Sequence, residues 1–433
     1  MKNRITFFLP LLFIIFLLSG CSVTLFDEAL NDSDNGNYNQ AIVKFEEALI
    51  AEPQNPDIHR ELGIAFYKSK DFANAISSLN NALQLNSNDG TSIFYLGLSY
   101  ESVPDYDNAL KYYKNYINGG YSSGNTVEII EGRIQWIANK KIEEDVKRAL
   151  KVENEIKADT IRSNSLAVLY FQNIGNNKAL DPLQKGLTEM LITDLSKVKD
   201  LRVVERVKLQ KLLDEIGLGQ SGLVAENTAP RVGKIFGVNK LVKGTFLDID
   251  STNFRMGVGM IGTTSGSYQD LTNVSGSLED LFKLEKELTF SVIDEMGIKL
   301  TDEERESIQV IPTESYLAFV AYSKGLDLED QGRYNEAAEQ YREAFSIDPF
   351  FNAAEQKYQQ VEIIDQAQDV SSVEEQIQST DDQYTQSTMD RLIESNYQLT
   401  GETVTGRDDH NPTTSSDFGR GVRVDIEIVI PRR

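Results

Sequence analysis

Asn37-Tyr38-Asn39-Gln40-Ala41, Asp71-Phe72-Ala73-Asn74-Ala75 and Asp105-Tyr106-Asp107-Asn108-Ala109 are three versions of one pattern, set 34 residues apart. The interval holds at other positions. Leu62-Gly63 returns as Leu96-Gly97, Phe66 as Tyr100, Phe45 as Leu79 and Tyr113, and Ala48 as Ala82. A fixed period of this length marks a stack of supersecondary units, each burying its apolar face only against its neighbours. Ala at 41, 75 and 109 marks where antiparallel helices come close, since only small side chains allow a close approach.

The pattern resembles tetratricopeptide repeats, with an aromatic and a Gly on the first helix, small residues at the crossing and a closing Pro such as Pro53. The array is assigned to residues 21–125. Its first unit departs from the pattern at Ala29 and Asp32, as terminal units do. The third has Tyr116 where the last small residue belongs, which argues against tight packing of a further unit. An isolated unit recurs at 314–362, carried by Lys324-Gly325, Tyr334, Ala337, Tyr341, Ala344 and Pro349. A single unit cannot bury its own face, so it is expected to pack on the first array, on the middle of the chain or on another subunit. Such an array acts either as a spacer or as a concave surface for protein partners, and the sequence names no ligand.

Between the array and the isolated unit the period changes. From Val127, apolar residues at helical spacing read as one or two long helices, a connector over 126–160. Leu166 to Phe171 is a continuous apolar run, read as a buried strand. Leu183–Val198 and Val207–Ile216 read as helices flanking a strand at Leu201–Glu205. A helix at Asn227–Phe236 and strands at Lys240–Ile249, Phe254–Met260 and Tyr268–Val274 follow, and Ser277 caps a last helix. Alternating strands and helices over 161–305 predict a compact α/β domain. The fold class is therefore multidomain: an all-α repeat array, an α/β domain and a partly disordered C-terminal tail. Gly217-Leu218-Gly219-Gln220-Ser221-Gly222 is a literal G-x-G-x-x-G, but it follows a helix. A dinucleotide site must follow a strand and open a helix, so Gly217 is read as a left-handed helix cap.

Leu201-Arg202-Val203-Val204-Glu205-Arg206, the Gly217–Val224 stretch, Arg231-Val232-Gly233-Lys234 and Val242-Lys243-Gly244 resemble the CsgG family of curli production assembly and transport components. The resemblance implies a periplasmic α/β domain of envelope lipoproteins. In CsgG itself two membrane hairpins are inserted into this domain, and four membrane strands need roughly 40 residues of alternating sequence. The corresponding positions here hold a four-residue turn after Ile249 and sixteen residues, rich in Gly, Ser and Thr, between Met260 and Ser277. The loop Gln172–Asp181, which builds the pore constriction in CsgG, lacks aromatics. The expectation is the family's assembly domain without a channel of its own.

Composition narrows the chemistry. The 433 residues carry 67 acidic and 43 basic side chains, a net charge of −24 that repels phosphate backbones and argues against a nucleic-acid partner. One cysteine allows no intramolecular disulfide and no tetrathiolate zinc site, and a histidine-based triad would have to be built from His59 in a predicted helix or His410 in a polar tail. No catalytic residue, cofactor or metal is expected. An enzyme built from carboxylates alone stays open, but nothing singles out a pair.

The lone cysteine has a definite place. Lys2 and Arg4 precede an apolar run from Ile5 to Leu18, too short to span a bilayer, and Leu18-Ser19-Gly20-Cys21 resembles a lipobox. Residues 1–20 are read as a lipoprotein signal peptide and Cys21 as the lipid attachment site. Ser22 after the cysteine implies outer-membrane sorting, with the body facing the periplasm. Residues 363–420, rich in Gln, Ser, Thr and Asp, read as a disordered linker. Residues 421–433 hold the alternation Val422 to Ile430 of a half-buried strand, docking on the middle domain or adding to a neighbouring subunit. The expected function is a non-enzymatic scaffold or accessory in envelope assembly or secretion, held to the bilayer by its acylated N-terminus and to protein partners by its repeats. Homo-oligomerisation, a CsgG-like channel subunit and a regulator of envelope or peptidoglycan synthesis remain alternatives.

Overall fold

The computed structural model describes residues 25–121, 125–155, 161–217, 228–250, 253–371 and 373–374. Among these, one compact unit comprises 25–138 with 366–374, and another comprises 139–365.

The first unit is a run of antiparallel helices: α1 over 25–34, α2 (Tyr38–Ala51), α3 (Pro56–Lys68), α4 (Phe72–Leu85), α5 (Gly90–Ser102), α6 (Tyr106–Asn118) and the start of α7 (Asn125–Lys151). The period seen in the sequence reappears as one repeated turn. The backbone N–H of Asn37, Asp71 and Asp105 donates to the carbonyl five residues back, at Asp32, Phe66 and Tyr100, at 2.8 to 2.9 Å. This six-to-one bond ends the first helix of each unit, and the residue before each donor must bend left-handed. Gly36 does so at φ 77°, whereas Lys70 holds φ 68° against the steric cost of its Cβ. Asp71 and Asp105 then cap the second helix through the N–H of Asn74 and Asn108.

The small-residue pattern records packing, as expected. Ala41, Ala75 and Ala109 are fully buried. A Cβ on Gly63 would lie 2.6 Å from Leu79, and one on Gly97 would lie 2.7 Å from the Tyr113 ring. Tyr116, read as an obstacle, is instead buried between Phe94 and Tyr121, with ring centroids 5.8 Å from each. Tyr116 therefore fills an aromatic cluster at the end of α6.

In the second unit the sheet order is β3-β1-β4-β5-β6, from β1 (Arg162–Val168), β2 (Gln172–Asn173), β3 (Arg202–Val203), β4 (Val238–Asp250), β5 (Asn253–Gly262) and β6 (Tyr268–Gly276). β1 lies parallel to both β3 and β4, while β4, β5 and β6 form an antiparallel meander. A parallel central strand is covered on both faces, which explains the unbroken apolar run. Leu166 and Val168 face α8 (Leu183–Leu195) and α11 (Leu281–Glu295). Ala167 and Leu169 face α9 (Arg206–Glu215), α10 (Ala229–Phe236) and the second half of α7. Two glycines of the family-like motifs serve close contacts: a Cβ on Gly233 would strike Thr263, and one on Gly244 would strike the Phe171 ring. Gly217, at φ 75°, ends α9 in the left-handed region as anticipated, and the rest of its glycine-rich stretch lies outside the described residues. Ser277 and Asp280 form the capping box that leads into α11.

The isolated repeat is present as α13 (Tyr316–Asp330) and α14 (Tyr334–Ile347), after the short α12 (Asp302–Gln309). It repeats the geometry of the first array, with Gly325 set 2.5 Å from where Tyr341 would meet its Cβ. Of the three placements open to it, packing on the α/β domain is the one observed. α13 lies against α8, with Gly186 under Phe319 and Ser323, and both helices join one core.

One expectation left open is narrowed, and another changes. The connector is a single helix, α7, followed by a short 3-10 turn at Glu153–Glu155. The first residues of the linker expected from 363 are instead mostly helical: α15 (Asn352–Ala367) continues through that point, and residues 370–371 and 373–374 are again helical. Ile364, Ala367 and Val373 are buried, which the polar composition of the segment hid. The remainder of the linker, the strand at 421–433, His410 and the N-terminal segment with Cys21 lie outside the described residues.

Candidate functional site

α8 and α9 of the α/β domain and α13 and α14 of the isolated repeat enclose a polar cleft of about 1040 Å³. Its floor is a network of buried charges. Arg206, at the first position of α9, donates from Nε to Glu189 at 2.9 Å and pairs directly with Asp330, with Glu329 3.9 Å away. Lys185 donates to Asp330 at 2.6 Å and to Gln210 at 2.8 Å, and its ammonium lies 4.2 Å from the centroid of the Tyr170 ring. Tyr170 in turn donates its hydroxyl to Gln210. Glu329 accepts from the Tyr341 hydroxyl at 2.5 Å and from Lys357 at 2.9 Å.

Burial alone would raise both carboxyls. For Asp330, Arg206 and Lys185 more than offset it, and for Glu329, Lys357 and Arg206 do so, leaving both below the ordinary carboxylate range. The Tyr170 hydroxyl is pushed well up, chiefly by burial. Three acids and three cations thus neutralise one another across the junction. The cleft wall offers amides and carboxylates, among them Gln184, Gln331 and Gln340, whose Oε1 is buried and unbonded. Among the described residues its lining includes no histidine, cysteine or serine.

A second buried cluster lies under the same core. Asp194 takes Lys197 at 2.7 Å and also pairs with Lys286, which lies 3.5 Å from Glu285. Glu285 is fully buried and accepts from Thr289 at 2.8 Å. Its carboxyl is pushed up to about 8, first by burial and then by the Asp194 charge.

The positions where hairpins would be inserted are short. β4 and β5 are separated by residues 251–252, and β5 and β6 by 263–267. The loop after β1 is held to its own domain, with Asn173 donating to Asp181 at 2.7 Å and Asn177 to Asp248 at 3.1 Å. His59 lies on α3 with Nε2 3.0 Å from the Pro53 carbonyl. Among the described residues, no group of three or more His, Cys, Asp or Glu side chains could hold a metal ion, and no helix is long and apolar enough to cross a membrane.

The sequence reading missed the charge network. The signal was present in α9, where Arg206 shares the helix face of the apolar Leu209 and Leu213 and so had to be buried with an acid. Glu189 lay 17 residues before it on another helix and Asp330 lay 124 residues after it, beyond the reach of any local pattern.

Comparison with known proteins agrees with this architecture. The model of the family described as "Curli production assembly/transport component CsgG" matches residues 142–275. Tetratricopeptide repeat models match residues 26–90 and 320–351. A curated Rhizobium meliloti (strain 1021) protein, "Putative adenylate cyclase 3", is 27% identical over 196 residues, 44% of this chain and 31% of its own length. The chain thus spans about a third of that relative. Among solved structures, the TPR2AB domain of yeast Sti1 in its pHSP90 complex covers 79% of this chain and 99% of its own, at 11% identity and a TM-score of 0.29. Yeast Tom70 covers 80% and 68%, at 14% identity and a TM-score of 0.27. The chain carries tetratricopeptide repeats on either side of a domain of the CsgG family.

Proposed function

We propose that this protein is a lipid-anchored, periplasm-facing scaffold of the outer membrane, acting without catalysis in envelope assembly or secretion. The observation that carries the reading is the pairing of protein-binding repeats with a CsgG-family domain whose strand connections stay short. The repeats supply partner surfaces, and the domain supplies a body of the type used in envelope transport. Anchoring rests on Leu18-Ser19-Gly20-Cys21, where a thioether-linked lipid with a second acyl chain would supply stable attachment that one chain does not. The non-enzymatic reading is supported by the scaffold and transport character of the matched families, and by a cleft in which Lys185 and Arg206 are both paired with Asp330.

Fractionation of cells expressing the intact chain and Cys21→Ala tests the anchor. The intact chain is expected in outer-membrane fractions and the variant in the soluble periplasm, and a variant still in the membrane contradicts the reading. The word transport in the family's description favours one other reading, an oligomeric channel subunit. Conductance across planar bilayers from the purified protein alone would replace the scaffold with it.

A further inference from the structure

The first unit holds a short segment of its own chain across the first helices of its repeats. α3 and α5 lie side by side, and Arg133 on α7 extends their row through its bonds to Glu101 of α5. Residues 366–374 cross this row. Arg133, almost wholly buried, donates to the carbonyls of Ala367 at 2.7 Å and Gln368 at 2.8 Å. These carbonyls stand at the C-terminal end of α15, where the helix dipole attracts a cation. Trp136 lies under the guanidinium at 4.4 Å. Ala367 and Val373 are buried in the array's core and Val370 packs against it, so the apolar contacts fall three residues apart. Lys68, at the end of α3, pairs with Glu374, and the neighbouring Tyr67 hydroxyl is pushed up by burial and by the Glu374 charge.

We propose that this row is the ligand groove of the repeats, filled in cis by Ala367, Gln368, Val370, Val373 and Glu374. Its external partner is a short peptide of the same chemistry. That peptide has a helix end whose carbonyls Arg133 can take at the first of three small or branched apolar residues spaced i, i+3 and i+6, a break in the helix after it, and a carboxylate directly after the last. The proposal rests on the scaffold reading and names the partner its repeats accept. The cis ligand is suited to displacement. Its apolar contact is one Ala and two Val side chains, and its hold comes largely from tethering, which supplies an effective concentration of about millimolar. A partner with a dissociation constant well below that would replace it, and the cis segment lowers the apparent affinity by the fraction of time it occupies the groove.

The test uses the full chain and a fluorescein-labelled peptide of residues 363–377, read by anisotropy. Val370→Asp with Val373→Asp should free the groove and bind the peptide at least about tenfold more tightly than the unsubstituted chain. Adding Lys68→Glu should abolish binding, and a peptide carrying Glu374→Lys should restore it. Equal binding to the freed and unsubstituted chains, no binding to either, or binding indifferent to Lys68→Glu would each overturn the proposal. Far-UV circular dichroism and Trp136 emission report whether the double variant folds. The single change Glu374→Lys in the chain, at the rim of the groove, gives a milder version expected to raise peptide affinity several-fold, and no change there also overturns the proposal. If the peptide fails while partners still crosslink to the repeats in cells, this inference falls and the scaffold reading stands.

Discussion

Replacing Arg206 with Met should loosen the junction between the α/β domain and the isolated repeat, by an amount the geometry bounds. Removing one partner of a buried ion pair costs about 3–5 kcal/mol, because the charge left behind is neither solvated nor matched. Here Asp330 and Glu329 also lose Arg206 but keep Lys185 at 2.6 Å and Lys357 at 2.9 Å, whereas Glu189 is left without the cation it had at 2.9 Å. That places the loss near the lower end, about 3 kcal/mol, or roughly a hundredfold in a local opening equilibrium. Hydrogen exchange resolved to α9 and α13 measures it, with the repeats of the first unit as an internal reference. A pair replaced as a unit, Arg206→Met with Glu189→Leu, should recover most of the loss, because Asp330 keeps Lys185 and Glu329 keeps Lys357. The pH dependence has a fixed sign. The Asp330 carboxyl is lowered in the folded protein from an ordinary value of 3.8, so its contribution is present above about pH 4 and is lost as pH falls through the folded value. The gap between the original chain and Arg206→Met must therefore narrow below about pH 4. An opening increase under fivefold at pH 7, or a gap that widens in acid, would refute the reasoning.

Other substitutions probe separate parts of the fold. Glu285→Gln removes a carboxyl held near 8, whose ionised form is disfavoured in the folded state. The variant's advantage in urea unfolding should grow, by on the order of 1–3 kcal/mol, as pH rises from 5 to 8, and a constant gap contradicts it. Gly97→Ala drives a Cβ to 2.7 Å from Tyr113. It should lower the stability of the first unit by about 1–3 kcal/mol despite the better helix propensity of Ala, and a higher melting temperature would show that the ring yields freely. Lys70→Gly relieves a left-handed residue at φ 68° and should instead stabilise that unit by about 1 kcal/mol, which a thermal melt resolves. Ser277→Ala removes half of a capping box and should cost about 1 kcal/mol, read as faster exchange at the start of α11.

The repeats were legible because their structure is local. Each unit closes within 34 residues, so Asp71 and Asp105, Gly63 and Gly97, and Ala75 and Ala109 repeat in the chain as they repeat in space. The α/β domain was legible in its elements for the same reason, with Leu166–Phe171 buried on both faces and Gly217 ending α9. What escaped depended on distant partners. The seat of α13 on α8 is fixed by Gly186 beneath Phe319 and Ser323, and no spacing rule joins these positions. The burial of Val373 and Ala367 was hidden inside a polar, Gln-rich stretch, because a segment that docks on an existing core needs only a few apolar residues. The charge network was missed for a related reason. The apolar face of α9 marks Arg206 for burial, but nothing local names Asp330 as its partner until the helices that carry them are brought together.

The measurement that bears most directly on the scaffold reading is photo-crosslinking in cells from single positions on the first helices of the repeats, with adducts identified by mass, for the intact chain and for Cys21→Ala. The account predicts discrete crosslinks to another envelope protein from the intact chain and their loss when the anchor is removed. Crosslinks only between copies of this chain, or a pattern indifferent to Cys21, would contradict it.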